Sequence, residues 1–348
     1  VRQHLIDVLT AEQLAVLTEG LGAALRTLRA VESPLIAATV RTMADQGTLQ
    51  QIADGVHAWV QPDGSWWINN AGAVVGEDGV VLVDTCATEA RTRRWLGALA
   101  EATGDRPIRL AVATHHHGDH THGNSLLPDG VPVVAHQGTR DGIRADVIID
   151  GCPPVFSPVP DWGKVSRRLP TVTVSDQVTL FAGEQRIEVR HPGFVAHTVG
   201  DVVAHVPERG VLFTGDLLFN QVTPLIFMGS LAGALRSLDW LAGFDASVVV
   251  PGHGPLIEGA DLAGVLATHE RYYRLIQDAA RSGLRDGLSP LDAAKQVDLG
   301  EFAGLPDAER VVLNLHRAYA EATGGEFDLM ASFADAIAFN GGPLPTHV

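Results

Sequence analysis

The stretch Thr114-His115-His116-His117-Gly118-Asp119-His120-Thr121-His122-Gly123-Asn124 is the most informative part of the sequence, and it follows the apolar run from Ile108 to Ala113. In extended backbone, alternate side chains point to the same side, so His115 and His117 can face one ion. Gly118 relieves the backbone and lets Asp119 and His120 turn toward a neighbouring position. Imidazole nitrogens and carboxylate oxygens are ligands that zinc accepts in proteins. The stretch therefore predicts a metal site at the end of a strand.

Three further candidate ligands lie in similar settings along the chain. His197 follows the run Ile187 to Arg190, Asp216 ends the stretch Val211-Leu-Phe-Thr-Gly-Asp, and His253 lies in Val250-Pro-Gly-His-Gly-Pro255. Strand ends followed by glycine-containing loops are places where a rigid scaffold presents functional side chains. Each histidine taken alone is more simply explained as a structural residue. Together with the first stretch, they indicate a site built from five histidines and two aspartates.

The order of these residues resembles the signature of the metallo-β-lactamase superfamily. The resemblance covers His115-X-His117-X-Asp119-His120, then a histidine, an aspartate and a histidine, within roughly residues 52–257. It implies an α/β fold, an αβ/βα sandwich, here with added N- and C-terminal helices. It also implies an enzyme with two Zn²⁺ ions, although other divalent metals remain open.

The resemblance also implies a role for each residue. The first ion would be held by His115, His117 and His197, and the second by Asp119, His120 and His253, with Asp216 as the bridge. Asp119 would also be catalytic, because it is placed to orient a water molecule and accept its proton. Asp84 would orient the histidine loop by hydrogen bonds, or cap the helix that begins near Thr88, and both readings stay open.

Composition and patterning divide the chain into three zones. Residues 1–50 are predicted to be a helical N-terminal extension, 51–257 the catalytic domain rich in short strands, and 258–348 a helical C-terminal region packing on the core. The whole chain has 348 residues, of which 46% are hydrophobic and 19% charged, which excludes disorder of the whole chain. A proline-rich stretch, Cys152 to Trp162, is predicted to be an ordered loop that could act as a lid.

Substrate contacts are predicted from aromatic residues near the ligands. The candidates are Trp66 and Trp67 between early strands, Trp162 in the proline-rich stretch, and Phe219 and Phe227 after Asp216. Such a lining suits a flat, hydrophobic small molecule. The alternative is that these residues pack against the terminal helices.

A narrower resemblance points to the aromatic (type II) polyketide cyclases and thioesterases of this superfamily. It rests on Trp66-Trp67-Ile-Asn-Asn70, on Asp84-Thr-Cys-Ala-Thr-Glu-Ala-Arg91, and on the segment from Gly215 to Ser230. It implies a cyclase or thioesterase acting on an aromatic polyketide intermediate, in which the zinc centre activates a carbonyl or thioester and supplies hydroxide as base or nucleophile. The alternative within the fold is a generic metallohydrolase of a lactone, ester, thioester or β-lactam.

Charge restricts the expected partners and location. The formal net charge of −16 argues against a nucleic-acid partner and against binding to anionic membranes. The substrate could be tethered to an acyl carrier protein, which would need a basic patch; Arg91, Arg93, Arg94 and Arg167-Arg168 are candidates, or are solvated surface residues. With two cysteines and no signal-peptide layout, a cytoplasmic location is expected, and the N-terminal helices suggest a homodimer.

Overall fold

The structure is a computed structural model that describes residues 47–348, and these residues form one compact unit. The predictions of helices over residues 1–46, and of a homodimer formed through them, lie outside the described residues. The first strand begins at Thr48, slightly before the predicted boundary at residue 51. The physical reason is a hairpin, because this strand pairs antiparallel with the next one across a turn at Asp54-Gly55.

Fifteen strands are present in this part of the chain. They are β1 Thr48–Ala53, β2 Val56–Val60, β3 Ala71–Val75, β4 Val80–Val83, β5 Ile108–Val112, β6 Val133–His136, β7 Phe156–Ser157, β8 Val172–Val174, β9 Gln177–Ala182, β10 Gln185–Arg190, β11 Val203–Val206, β12 Val211–Phe219, β13 Val248–His253, β14 Ile257–Glu258 and β15 Leu344–Pro345.

Eight α-helices lie in the same region, with short 3-10 helices between them. They are α1 Glu89–Thr103, α2 Gly118–Thr121, α3 Gln137–Ala145, α4 Leu231–Leu241, α5 Leu262–Arg285, α6 Pro290–Gln296, α7 Arg310–Thr323 and α8 Leu329–Asn340. None of the helices that the structure describes is long and apolar enough to cross a membrane.

Two mixed sheets face each other. The first has the order β1-β2-β3-β4-β5-β6-β8, and the second the order β14-β13-β12-β11-β10-β9. The alternation in β4 explains the layering, since Val81 and Val83 pack between the sheets whereas Val80 and Leu82 pack on the outer side with Trp95 of α1. Because both faces of this strand are covered, it reads as a continuous apolar run. The predicted αβ/βα sandwich is confirmed.

Helices α4, α5 and α7 cover the outer face of the second sheet. Their buried side chains share one apolar cluster with strand residues such as Leu212 and Val249. Tyr272 and Tyr273 on α5 and Val311 to Leu313 on α7 are almost completely buried there. The added C-terminal helices predicted from sequence are therefore present, and they form part of the same core.

Two strand assignments differ from the sequence prediction. The β-branched run from Thr171 to Phe181 predicts a single strand, but a bend at Ser175-Asp176 divides it into β8 in the first sheet and β9 in the second. Asp216 and His253 were expected after their strands, yet they lie inside the longer β12 and β13. The β12–β13 register shifts on both sides of Gly215, whose φ of 51° interrupts regular pairing at the residue before Asp216.

Candidate metal centre and active-site pocket

Three histidine nitrogens converge on one point at the end of the sandwich. His117 Nδ1 lies 3.1 Å from His115 Nε2 and 3.0 Å from His197 Nε2. His115 and His197 are buried and His117 is half-buried, and with Asp216 they form one group whose ligand atoms lie within 4.8 Å of one another. The structure thus brings together the three histidines that the resemblance implies for the first ion.

A second group lies beside the first. His253 Nε2 is 3.1 Å from Asp119 Oδ2, and His120 Nε2 is 3.7 Å from the same oxygen. Asp216 reaches both groups, because its Oδ1 lies 3.0 Å from His120 Nε2 and its Oδ2 lies 3.4 Å from both His253 Nε2 and His197 Nε2. This position between the groups matches the bridging role expected for Asp216.

The Nδ1 atoms of His197 and His253 have hydrogen-bond partners that fix the tautomers. His197 Nδ1 donates to the Leu225 carbonyl at 2.7 Å and His253 Nδ1 donates to the Gly64 carbonyl at 2.9 Å, since a carbonyl oxygen can only accept. His197 Nε2 therefore presents a lone pair toward the centre, and His253 Nε2 does so when a cation takes the place of its proton. Second partners of this kind are what orient histidine ligands in metal sites.

Asp84 forms the corresponding hydrogen bonds behind His120 and Thr114. It accepts from the backbone N–H of Thr114 at 2.7 Å, from the Thr114 hydroxyl at 2.8 Å and from His120 Nδ1 at 2.8 Å. Because the Thr114 hydroxyl proton is used there, His115 Nδ1 donates to Thr114 Oγ1, at 3.1 Å. The helix cap is a different residue, as Thr88 caps α1 by accepting from Arg91 N. Asp84 therefore orients the histidine loop and does not cap the helix.

Burial and charge divide the histidines into two kinds. Burial lowers the pKa of His115, His117 and His197, so these rings are neutral at pH 7. Burial also disfavours a charge on His253, but the Asp216 and Asp119 carboxylates outweigh it and raise its pKa to about 9. The second group thus concentrates negative charge that favours a cation.

The donor set fits a pair of metal ions of the zinc type. Ligands about 2.0–2.1 Å from a tetrahedral zinc ion lie roughly 3.3 Å from each other, close to the separations of the first group. His115 Nε2 and His197 Nε2 lie 3.1 and 3.0 Å from His117 Nδ1, and their lone pairs face the same point. The three nitrogen atoms repel one another in this arrangement unless a cation or a proton lies between them. His117 Nε2 is buried without a hydrogen-bond partner, so the ring has no other polar use.

A family-level sequence profile matches residues 64–253, which contain both groups, and its description is "Metallo-beta-lactamase superfamily". The chain belongs to the metallo-β-lactamase superfamily. The predicted family is thereby confirmed, and the two His/Asp groups occupy the superfamily part of the chain.

Three curated relatives show which kinds of protein share this sequence. The α subunit of 2,4-dinitroanisole O-demethylase from Nocardioides sp. is 28% identical over 52% of this chain and 51% of its own length. A hydroxyacylglutathione hydrolase from Cupriavidus metallidurans is 36% identical over 38% of this chain and 44% of its own length. An acyl-coenzyme A thioesterase from Homo sapiens is 30% identical over 34% of this chain and 44% of its own length. The chain spans about half the length of the curated relatives it matches.

Two solved structures share the fold. The sec-alkylsulfatase Pisa1 from Pseudomonas sp. superposes with a TM-score of 0.62 at 18% identity, over 82% of this chain and 51% of that one. A metallo-β-lactamase from Pontibacter korlensis gives a TM-score of 0.53 at 23% identity, over 66% of this chain and 99% of that one. At these identities the likeness concerns the fold.

A cavity of about 250 Å³ opens onto the metal centre of this superfamily member. His117, Asp119, Asp216 and His253 lie at its inner end. Its walls are aromatic and aliphatic, and four of the five predicted substrate contacts line it; these are Trp66, Trp67, Phe219 and Phe227. Phe227 stacks on His117 with 5.4 Å between ring centroids. The pocket thus joins the two His/Asp groups to a hydrophobic binding space.

Trp162 is an exception among the predicted contacts. It packs behind Trp67, with ring centroids 4.8 Å apart, and donates from Nε1 to the Ile148 carbonyl at 2.9 Å. Trp67 lines the cavity and Trp162 does not. Other residues of the proline-rich stretch, Pro153, Val155 and Phe156, do line it.

Of the five arginines considered for a basic patch, Arg91 is buried, Arg168 is half-buried, and Arg93, Arg94 and Arg167 are exposed. Arg91 is buried and donates to the side chain of Gln61 and the carbonyl of Asn69. Arg168 donates to four backbone carbonyls, those of Asn124, Leu127, Pro128 and Val131. These two side chains therefore stabilise loops, and the basic patch stays a prediction that concerns the exposed arginines.

Several pocket residues come from C-terminal elements that the sequence analysis did not connect to the site. Arg310 of α7 and Leu329, Met330 and Phe333 of α8 line the cavity. The Arg310 guanidinium lies 4.6 Å from the centre of the Trp66 ring and pairs with Asp307 Oδ2 at 2.7 Å. A signal was present in Asp307-Ala-Glu-Arg310, an acidic residue three positions before an arginine at a helix start, but it does not indicate where the helix docks.

Proposed function

We propose that this chain is a dizinc enzyme that acts on a carbonyl of a flat, hydrophobic small molecule, and that it is a cyclase or thioesterase for an aromatic polyketide intermediate. The observation that carries the proposal is the aromatic pocket that ends on the two His/Asp groups. The chemistry of a carbonyl substrate needs both parts. The pocket would hold the ring system, and the charged end would face the reacting carbonyl.

The catalytic end offers a defined set of groups. When bound, the two ions supply Lewis acidity, which polarises a carbonyl oxygen and makes water acidic enough to react near neutral pH. Asp119 is buried, and although burial opposes ionisation, His120 and His253 lower its pKa well below the usual value. An ionised Asp119 beside the centre would orient water and then accept a proton, whether the product is a hydrolysed or a cyclised chain.

The walls of the pocket favour an aromatic or conjugated ligand. Phe333 lies 6.1 Å from the ring centroids of Trp66, Phe156 and Phe227, so rings from three parts of the chain meet around one space. Offset and edge-to-face arrangements of this kind are favourable for a planar ring placed among them. The bulk of the walls also keeps water from the reactive part of a polyketo chain, which favours ring closure over hydrolysis.

The charge of the pocket favours an uncharged ligand. Among the described residues that line it, Arg310 is the one lysine or arginine, and its guanidinium is already engaged by Asp307 and by the Thr223 carbonyl at 2.9 Å. The carboxylates of glutathione or the phosphates of coenzyme A would find no free lysine or arginine among the described lining residues. A carrier or coenzyme attached to the substrate would therefore stay outside the cavity.

A generic hydrolase of an ester, lactone or thioester is the second candidate. Relatives named as a hydroxyacylglutathione hydrolase and an acyl-coenzyme A thioesterase support it. It needs the same His/Asp groups, so the substrate alone separates the two candidates. An acyl carrier protein as partner, a homodimer and a cytoplasmic location belong to the first candidate as proposals.

The experiment uses a coenzyme-tethered poly-β-keto thioester and the zinc-loaded protein, with free thiol and product mass followed together. We expect zinc-dependent thiol release with a cyclised or dehydrated product. The Asp119→Asn variant should lose this activity, whereas Asp150→Asn, which alters a carboxylate paired with Arg167 outside the lining of the pocket, should retain it. Thiol release with only the linear acid would support the generic hydrolase, and no reaction with this substrate would overturn the polyketide proposal.

A further inference from the structure

One face of α7 forms hydrogen bonds with the segment that follows β12, the strand that carries Asp216. We call residues 223–232 the wall segment, because Leu225, Phe227 and Met228 line the pocket. Arg310, Asn314, Arg317 and Glu321 recur on α7 at spacings of three and four, which places them on one helix face. Arg310 donates to Thr223 O, Asn314 donates to Pro224 O and accepts from Ile226 N, Arg317 donates to Phe227 O, and Glu321 accepts from Leu231 N. Helix α7, which lies outside residues 64–253, therefore holds the wall segment in place.

Asn314 makes the central contacts of this row and is completely buried. Its Nδ2 donates to the Pro224 carbonyl at 2.8 Å and to the Tyr272 hydroxyl at 2.9 Å, while its Oδ1 accepts from Ile226 N at 2.9 Å. A side-chain amide both donates and accepts, which a carboxylate or an apolar group of the same size cannot do. Asn314 therefore holds the backbone on both sides of Leu225.

Leu225 is the residue whose carbonyl orients His197. The His197 Nδ1–H donates to this oxygen at 2.7 Å, which leaves Nε2 as the nitrogen that faces His117. The wall segment approaches the His197 loop closely, since Ser230 N donates to the Ala196 carbonyl at 2.8 Å. At Gly229, an added Cβ would lie 1.9 Å from that same carbonyl oxygen. The position of the Leu225 carbonyl is thus defined from two sides.

We propose that Asn314 is a positioning residue for the metal centre: by clamping Pro224 and Ile226 it places the Leu225 carbonyl, which in turn sets the tautomer and direction of His197. The inference rests on the proposed function insofar as His197 is a metal ligand. It assigns to a C-terminal helix a part in metal binding that the ligands alone do not reveal. Loss of a partner that directly orients a ligand costs about 10–100-fold in metal affinity, and we expect the lower end of that range, about 10-fold, for a residue one bond further away.

The test measures metal affinity and ligand geometry in the full chain. Asn314→Leu removes all three hydrogen bonds of the side chain and keeps a similar side-chain size. Asn314→Asp keeps the acceptor for Ile226 N but loses the donation to Pro224 O. The second variant is used if the first does not fold. Zinc retention is measured against a graded competing chelator. The visible spectrum of the cobalt-substituted protein reports the ligand field at the site. We expect about 10-fold weaker retention of the first ion and a changed cobalt spectrum.

Two control variants separate positioning from general loss of packing. Tyr272→Phe removes the third partner of Asn314 but neither bond to the wall segment, and Val311→Ala truncates a fully buried side chain on the same helix. Both should keep the metal affinity and cobalt spectrum of the unmodified protein. Unchanged affinity and spectrum in a folded Asn314 variant would overturn the inference, and so would equal losses in the two controls.

The same measurements distinguish this inference from the proposed function. If the unmodified protein retains metal and the Asn314 variants lose it, but no thiol release occurs, the proposed reaction fails and the inference stands. If the reaction occurs and the Asn314 variants bind metal normally, the inference alone fails. A protein that retains no zinc or cobalt at any ratio overturns both.

Discussion

At the scale of single residues, the candidate metal centre depends on the side chains that orient the ligands as much as on the ligands themselves. Asp84 is nearly fully buried and accepts three hydrogen bonds, one of them from His120. It has a φ of 61°, an unusual conformation for a residue other than glycine, which aims the carboxylate back toward Thr114. The metal centre thus depends on a carboxylate that belongs to neither group.

Replacing Asp84 by Asn should weaken metal binding without abolishing the fold. The amide would place an N–H group against the donors of Thr114 or His120, so one of those bonds is lost and His120 is free to rotate. We expect about 10–100-fold weaker retention of metal in a chelator competition. The matched control is Asp141→Asn on the exposed face of α3, which should leave retention unchanged. Equal retention in both variants would contradict the role of Asp84.

Gly252 provides a steric test of the bridging position. A Cβ at this residue would lie 1.9 Å from Asp216 Oδ1 and 2.8 Å from Asp216 N, both within the range where something must shift. Gly252→Ala should therefore displace the carboxylate and lower the metal content of the purified protein below two ions per chain. Gly97→Ala in α1, where a Cβ meets nothing within 4 Å, is the control and should raise stability by about 0.5–1 kcal/mol. Full metal content in Gly252→Ala would show that Asp216 does not bridge.

At the scale of elements, the pocket is assembled from parts that are far apart in the chain. Trp66 comes from the loop between β2 and β3, Phe227 from the segment after β12, and Phe333 from α8. The strand β15 at residues 344–345 pairs with β7 in the proline-rich stretch, and Leu344 N donates to the Val155 carbonyl at 2.8 Å. The stretch expected as a lid is thus held in place by the last strand of the chain.

Phe333→Ala should weaken substrate binding more than turnover. The ring contributes to three aromatic contacts on the pocket wall but lies in α8, away from the His/Asp groups. A lost aromatic contact with the substrate costs about 0.5–1.5 kcal/mol, equivalent to roughly a 2- to 12-fold increase in KM. Phe339→Ala on the same helix, which packs on the core without lining the pocket, should leave KM unchanged. Steady-state kinetics on an aromatic substrate check this, and a fall in kcat with constant KM would contradict it.

At the scale of the whole molecule, metal binding and folding should be coupled. Two carboxylates and five histidines lie together in the two groups, all of them buried except the half-buried His117, and a bound cation compensates the desolvation and repulsion among them. A ligand that binds only the folded state stabilises it by about 2.7 kcal/mol when its free concentration is 100 times Kd.

Removing metal with a chelator should therefore lower Tm by several degrees, which differential scanning calorimetry can measure. The Asp216→Asn variant should show a much smaller difference between metal-loaded and chelated samples, because the residue that spans both groups has lost its charge. An equal Tm with and without chelator in the unmodified protein would contradict the coupling.

The seven candidate ligands and the layered sandwich were accessible from sequence because both depend on local patterns. Alternating apolar residues mark strands, and the spacing of His115, His117, Asp119 and His120 is set within one loop. Asp216 and His253 were predicted as ligands from the glycines beside them. Their position inside long strands was not predicted. The break at Ser175-Asp176 was missed because a continuous β-branched run carries no signal for a change of sheet.

The family, the candidate ligands and the aromatic character of the site were predictable from the sequence, since they follow from residue type and short spacing. The tertiary contacts that the sequence did not predict are those of Trp162 with Trp67, of Arg91 and Arg168 with backbone carbonyls, and of α7 and α8 with the pocket. The physical reason is that such contacts join residues distant in the chain. Asn314 reaches Ile226 across 88 positions, and only the packing of α7 on the second sheet brings them together.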